Sequence, residues 1–201
     1  MYRFALILPL VIQAPAVAAQ SVKPAPSGSY VTDPTHTSLT WRVSHFGLSN
    51  YTARFAAVSA SLDWNAEQPA KSRLSVAIDP ASVRTDFPFA EAEDFDKKIG
   101  TAPEFLAAKP IAFEAKGITL TGDNTGTIKG DLTFRGETHP VTLDVRFNDS
   151  FAEHPMDKLP RLGFSATGTV RRTDWGLDFA VPALGEDVQL MVETEFVPVK
   201  R

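Results

Sequence analysis

The chain runs to 201 residues, 43% of them hydrophobic, with a formal net charge of -4 and no cysteine. That length gives a single domain room for a real core. Without cysteine, disulfides, thiolate metal sites, a cysteine nucleophile and a lipid-acylated cysteine are excluded; without a Lys/Arg block, a mildly acidic chain offers nothing to nucleic acid or an anionic lipid surface.

Residues 1–19 read as a removable export signal. Arg3 supplies a small positive start, residues 4–12 an apolar core, and Ala16-Val17-Ala18 and Val17-Ala18-Ala19 both fit a small-x-small cleavage site. Pro9, Gln13 and Pro15 interrupt the apolar run well short of the roughly twenty residues that a spanning helix needs. The expectation is an exported protein cleaved near Ala18 or Ala19, with residues 20–29 as a Pro/Ser/Gly-rich tether and residues 30–201 as one domain.

The domain is written in period two. Thr37, Leu39, Trp41, Val43 and His45 alternate with Ser38, Thr40, Arg42 and Ser44, the pattern of an antiparallel strand with one buried face. Over residues 51–64 the apolar phase slips from odd at Phe55 to even at Val58, Ala60, Leu62 and Trp64, which predicts a bend at Ala56-Ala57. Leu74, Val76 and Ile78 restore the rhythm. Residues 85–110 break it with Phe87, Phe89, Phe95 and Phe105 among acids, and residues 91–100 suit a short helix stopped by Gly100. A second slip falls at Gly117. Further strands follow through Ile128, Leu132 and Phe134, then Val141 to Phe147, Leu162 to Val170 and Val188 to Phe196, with turns at residues 122–126 and 135–138. Residues 173–186 form a long loop carrying Trp175, Leu177, Phe179, Val181 and Leu184. About eight bending strands predict a closed barrel, and the two aromatic-rich segments are expected either to cover one of its mouths or only to cap a solid core. Gly130, Ala166, Gly168 and Thr194 on the inward stripe leave either internal volume or room for a neighbouring Phe or Trp.

Motifs for catalysis are missing. There is no G-x-S-x-G elbow, phosphate loop or dinucleotide fingerprint, and His36, His45, His139 and His154 form no metal-ligating spacing. His45 has two readings: polarity projected into an apolar lumen, or a strand-end histidine satisfied locally. Arg172, before Asp174-Trp175, is either a cation at the barrel mouth or a surface residue.

Several segments resemble YceI-like, polyisoprenoid-binding periplasmic proteins. They are Tyr30-Val31-Thr32-Asp33-Pro34-Thr35-His36-Thr37-Ser38 with His45-Phe46-Gly47; Ile78-Asp79 through Ser82-Val83-Arg84-Thr85; residues 96–110 with Glu104-Phe105-Leu106; Gly130-Asp131-Leu132-Thr133 through Pro140-Val141; and Arg172 to Leu177 with Gly185-Glu186-Asp187-Val188. Departures are Ala108-Lys109-Pro110, without the usual aromatic before proline, Lys98-Ile99, and the lack of a glycine before Phe55.

The resemblance implies an all-β fold, an eight-stranded antiparallel lipocalin-like barrel with one or two short helices capping one end. It implies a non-enzymatic carrier, without metal or cofactor, whose ligand is an isoprenoid lipid or quinone-like amphiphile. Transient membrane contact and a homodimer fit the same picture. The residues expected to line the tunnel or its mouth are Trp41, Phe46, Phe55, Phe89, Phe105, Phe113, Phe134, Phe164, Trp175 and Phe179, with His45 and Arg172 at the head group. Two other classes compete: a filled-core stress or interaction protein, and a hydrolase or isomerase using His45.

Overall fold

A computed structural model describes residues 24–200; the expected signal segment and residues 20–23 lie outside them. The strands are β1 (Gly28–His45), β2 (Ser49–Phe55), β3 (Val58–Trp64), β4 (Arg73–Ile78), β5 (Val83–Arg84), β6 (Ile111–Leu120), β7 (Thr125–Phe134), β8 (Glu137–Phe151), β9 (Arg161–Arg171) and β10 (Leu184–Pro198). One short helix, α1 (Phe95–Thr101), sits between β5 and β6. Every pairing is antiparallel, and β1 meets β10 to close the sheet on itself.

Ten strand segments make an eight-stranded barrel because two staves are bent. β2 and β3 are one stave broken at Ala56-Ala57, where the sequence phase slips; β2 pairs with the second half of β1 and β3 with its first four residues. β4 and β5 form the other, interrupted by the turn at Pro80–Ser82. The slip at Gly117 is a bulge that leaves Lys116 unpaired between Ala115 and Gly117. Such bends let a twisted sheet close.

Reading the strands in direction separates two ends. The β1–β2 turn, residues 85–110 with α1, the β7–β8 turn and the loop 172–183 lie at one end; the β3–β4, β6–β7 and β8–β9 connections and both described termini lie at the other. The first end is solid. Phe55, Val83, Ile99, Leu106, Phe134 and Trp175 form a buried cluster there, against which Trp41, Tyr51, Phe95 and Phe105 pack. α1 starts where Asp94 Oδ1 accepts the Lys97 amide at 2.9 Å, the side-chain cap that satisfies an otherwise orphaned donor. It is locked onto the barrel by Asp96 Oδ1, which accepts both the amide (2.7 Å) and the hydroxyl (2.6 Å) of buried Thr85. Gly100 is required here because a Cβ would lie 2.9 Å from Pro80 O.

The glycines on the inward stripe do not leave space. A Cβ at Gly130 would lie 2.4 Å from the Phe113 ring, and one at Gly168 would lie 2.5 Å from Leu143 Cδ2. Phe113 fills the space at Gly130, the second of the two readings the sequence allowed, while at Gly168 a leucine, Leu143, does so. Ala166 and Thr194 behave otherwise and face open volume.

Candidate functional site: an apolar cavity with one open end

Inside the barrel lies a cavity of about 420 Å³, in the range of sites that hold small ligands. Its walls include the inward parities of β3, β4, β6, β7, β8 and β10: Val58, Ala60 and Leu62; Leu74, Val76 and Ile78; Ile118 and Ile128; Leu143 and Val145; Leu190 and Val192. Val76, Leu143, Val145, Leu190 and Val192 are only half-buried although they point inward, because they face a void rather than a packed core.

The floor towards the solid end is formed by buried Leu39, Phe113 and Val141. At the other end the wall includes exposed Pro24, Ala66, Leu120, Asp123 and Asn124. The cavity therefore opens there. Just inside this mouth stands an aromatic collar. Trp64 stacks on Phe147 with centroids 5.9 Å apart, Phe164 meets Trp64 at 5.9 Å and Phe147 at 5.4 Å, and Phe196 meets Phe164 at 5.9 Å. Residues 24–27 cross the rim as a strap. The Ala25 amide donates to Ser150 Oγ (3.1 Å), the Ala66 amide to Ser27 Oγ (2.8 Å), and the Tyr30 hydroxyl to Pro26 O (2.7 Å). Ala25 is 2% exposed, so the packed domain begins before Tyr30 and includes part of the segment expected to be a tether.

Of the sequence candidates, the structure brings Phe113 and Phe164 to the cavity wall. Phe55, Phe134 and Trp175 are buried in the solid end, with Trp41 and Phe105 packed on them. The Trp41 indole N–H is buried with no partner among the described residues. Phe46, Phe89 and Phe179 are exposed on the outside of that end. His45 does not face the lumen: β1 runs out at its position, and its ring packs edge-on against Phe46 at 4.8 Å, in solvent.

Arg172 is neither a mouth cation nor a surface residue. It is 5% exposed, and its guanidinium donates to four backbone carbonyls: Gly185 (2.8 Å), Leu177 (2.7 Å), Phe179 (3.0 Å) and Leu184 (3.0 Å). Burial pushes its pKa down, with Asp178 and Glu186 opposing. Arg135, which sequence reasoning missed, does the same between flaps. It donates to Trp175 O (3.1 Å), Gly176 O (3.3 Å), Pro103 O (2.7 Å) and Phe105 O. The collar residues Trp64, Phe147 and Phe196 were missed as site residues although each lies on the inward parity of its strand. Parity marks the face, but not the end.

A charged cluster straddles the β1 bulge on the barrel. Arg161 Nη1 donates to Asp33 Oδ2 (2.7 Å) and Glu195 Oε2 (2.8 Å), its Nη2 to Asp157 (2.7 Å), and His36 Nδ1 lies 3.0 Å from Asp33. Hydrogen bonds from Thr35, then His36 and Arg161, hold the Asp33 carboxyl well below the usual carboxylate range despite burial. Asp33, His36 and Glu195 could together hold a cation, but the Arg161 guanidinium already bridges the two carboxylates.

The comparisons with known proteins agree with this architecture. A UPF0312 protein of Pseudomonas fluorescens (strain SBW25) is 30% identical over 82% of this chain and 83% of its own. Burkholderia cenocepacia BcnA shares the fold with a TM-score of 0.70 at 16% identity, over 82% of this chain and 98% of its own. A polyisoprenoid binding domain from Saccharophagus degradans, implicated in plant cell wall breakdown, superposes with a TM-score of 0.56 at 15% identity, over 88% of this chain and all of its own (100%). The YceI-like domain model matches residues 30–196, and the chain belongs to that family.

Proposed function

We propose that this protein is a periplasmic carrier for a long-chain isoprenoid lipid, a polyprenyl or quinone-like amphiphile held in the barrel cavity. The observation that carries the reading is the open-ended cavity walled almost wholly by aliphatic and aromatic side chains. Family membership and the polyisoprenoid-binding neighbour support it, and the signal-like residues 1–19 support export.

Magnitude defines the job. At about 0.8 kcal/mol per buried carbon, each carbon drawn into the cavity of about 420 Å³ is held strongly against water. A bilayer solvates the same chain equally well. The relevant competition is therefore with membrane, and the protein exchanges lipid with it rather than scavenging it irreversibly.

Native mass spectrometry of protein gently extracted from its host's periplasm tests this. The expected result is a mature chain cleaved near Ala18 or Ala19 with a prenyl-lipid adduct. A clean ligand-free mass, with no uptake of added prenyl lipid, overturns it.

A further inference from the structure

The large apolar side chains that stay exposed among the described residues lie at the two ends of the barrel, while the wall between them is polar. Four are at the open end: Leu120, Met156, Leu159 and Val199. Leu120 is 54% exposed and also forms part of the cavity wall, so apolar surface runs unbroken from the lumen to the outside. Met156, 86% exposed, and Leu159 belong to the β8–β9 connection, whose root Ser150 lies on the cavity wall and anchors the strap. Val199 is tied by its amide to Ser29 O at 3.1 Å, beside the start of β1. Turn chemistry does not ask for these residues; the adjoining Gly122-Asp123-Asn124 shows the polar choice a loop ordinarily makes.

Because these side chains continue the surface of the apolar cavity, the partner that fits them is one into which the cavity's contents also dissolve. A greasy chain leaving into water exposes its whole length; one leaving into a bilayer pressed against the rim exposes none. Charge says which kind of surface. Among the described residues at this end, Lys71, Lys158 and Lys200 are matched by Glu67, Asp123 and Glu153, and the chain is net acidic, so the described rim offers no excess of cations to anionic headgroups and its contact is apolar. From this, and resting on the carrier reading, we infer that the open end docks transiently on an uncharged or zwitterionic bilayer through Leu120, Met156, Leu159 and Val199, and that lipid passes there directly between cavity and membrane.

The test loads the mature protein with a fluorescent prenyl-lipid analogue and follows transfer to phosphatidylcholine vesicles by stopped flow. The transfer rate rises in proportion to vesicle concentration and changes little with salt, whereas electrostatic docking is screened. Met156→Asp with Leu159→Asp, neither on the cavity wall, slows transfer by about tenfold or more and leaves loading unchanged. A rate independent of vesicle concentration means release through water and overturns the inference. So does an undiminished rate in that variant, or slowing only in a closed-end variant, Phe46→Asp with Leu48→Asp. Sedimentation showing a dimer abolished by the open-end variant assigns the surface to a second copy, again overturning it. Flotation of unloaded protein with the same vesicles separates this claim from the carrier reading. Vesicle binding lost in Met156→Asp/Leu159→Asp supports docking even if the analogue never loads, and no flotation at all counts against docking alone.

Discussion

At the closed end of the barrel, two arginines spend their donors on backbone carbonyls and large aromatics fill the space beneath. At the open end, short serine hydroxyls hold a strap over an aromatic collar, and the side chains behind it face a void. The same sheet thus ends once as packed core and once as a vessel. A planar guanidinium with five donors can satisfy the carbonyls of an irregular loop that no strand pairs with, which lets loop backbone be buried without the penalty of orphaned polar groups. Where no such tie exists, the lumen stays accessible.

Substitutions that act on this contrast should differ most in the packed end. Trp175→Ala removes a ring that is 3% exposed and should cost about 3–5 kcal/mol. Val192→Ala, on the cavity wall, should cost only about 1 kcal/mol because its neighbours already leave one side empty. Denaturant unfolding measures both, and equal losses would erase the distinction.

Next in size is Arg172→Met, which strands four carbonyls and should lower stability by about 3 kcal/mol. Arg172→Lys should recover little of it, since an ammonium cannot span the same fork; thermal melts of the two variants decide.

The lumen responds to filling instead. Ala166→Phe should change stability by no more than about 1 kcal/mol, because it occupies existing volume, while abolishing retention of a prenyl lipid in native mass spectra. A large loss of stability would mean that the site is already full.

The charged cluster adds a pH dependence with opposite signs in its parts. Asp33, with its pKa depressed when folded, stabilises the fold above the unfolded value of about 4, and this is lost as pH falls through the folded value. Asp33→Asn should flatten that acid limb in melts recorded across the range. His36, with its pKa raised by Asp33 and then Glu195, contributes fully below about 6.5 and loses it as pH climbs past its raised value. Being exposed, it should contribute less than Asp33, and His36→Gln tests it. Smallest of all should be Ser150→Ala, which removes the hydroxyl that the Ala25 amide donates to. Its cost should be about 1 kcal/mol or less, but amide exchange at Ala25 should accelerate, sharpening the view of the strap as the looser closure.

Much of this was legible beforehand. Apolar parity identifies the inward face of each stave, and phase slips mark the bends at Ala56-Ala57 and Gly117. Two aromatic-rich segments pointed to one end as covered or capped. What misled was the assignment of large aromatics to the tunnel lining, since the segments cap a solid core, the second reading that the sequence allowed. Trp175 and Phe105, with Phe134 at the end of β7 beside them, are large and apolar because they plug an end, whereas most of the cavity wall is Val, Leu, Ile and Ala, which look like ordinary core in a sequence.

Alternation of side chains is local, fixed by the two-residue repeat of the pleat, so a sequence determines by itself that this chain makes amphipathic strands and where they kink. Whether an inward residue meets another side chain or empty space depends on what the opposite wall contributes at that height. Gly130 under Phe113 and Ala166 over a void look alike until the barrel closes. The closed ring, with its one sealed and one open end, decided the site, because volume is a property of all eight staves together.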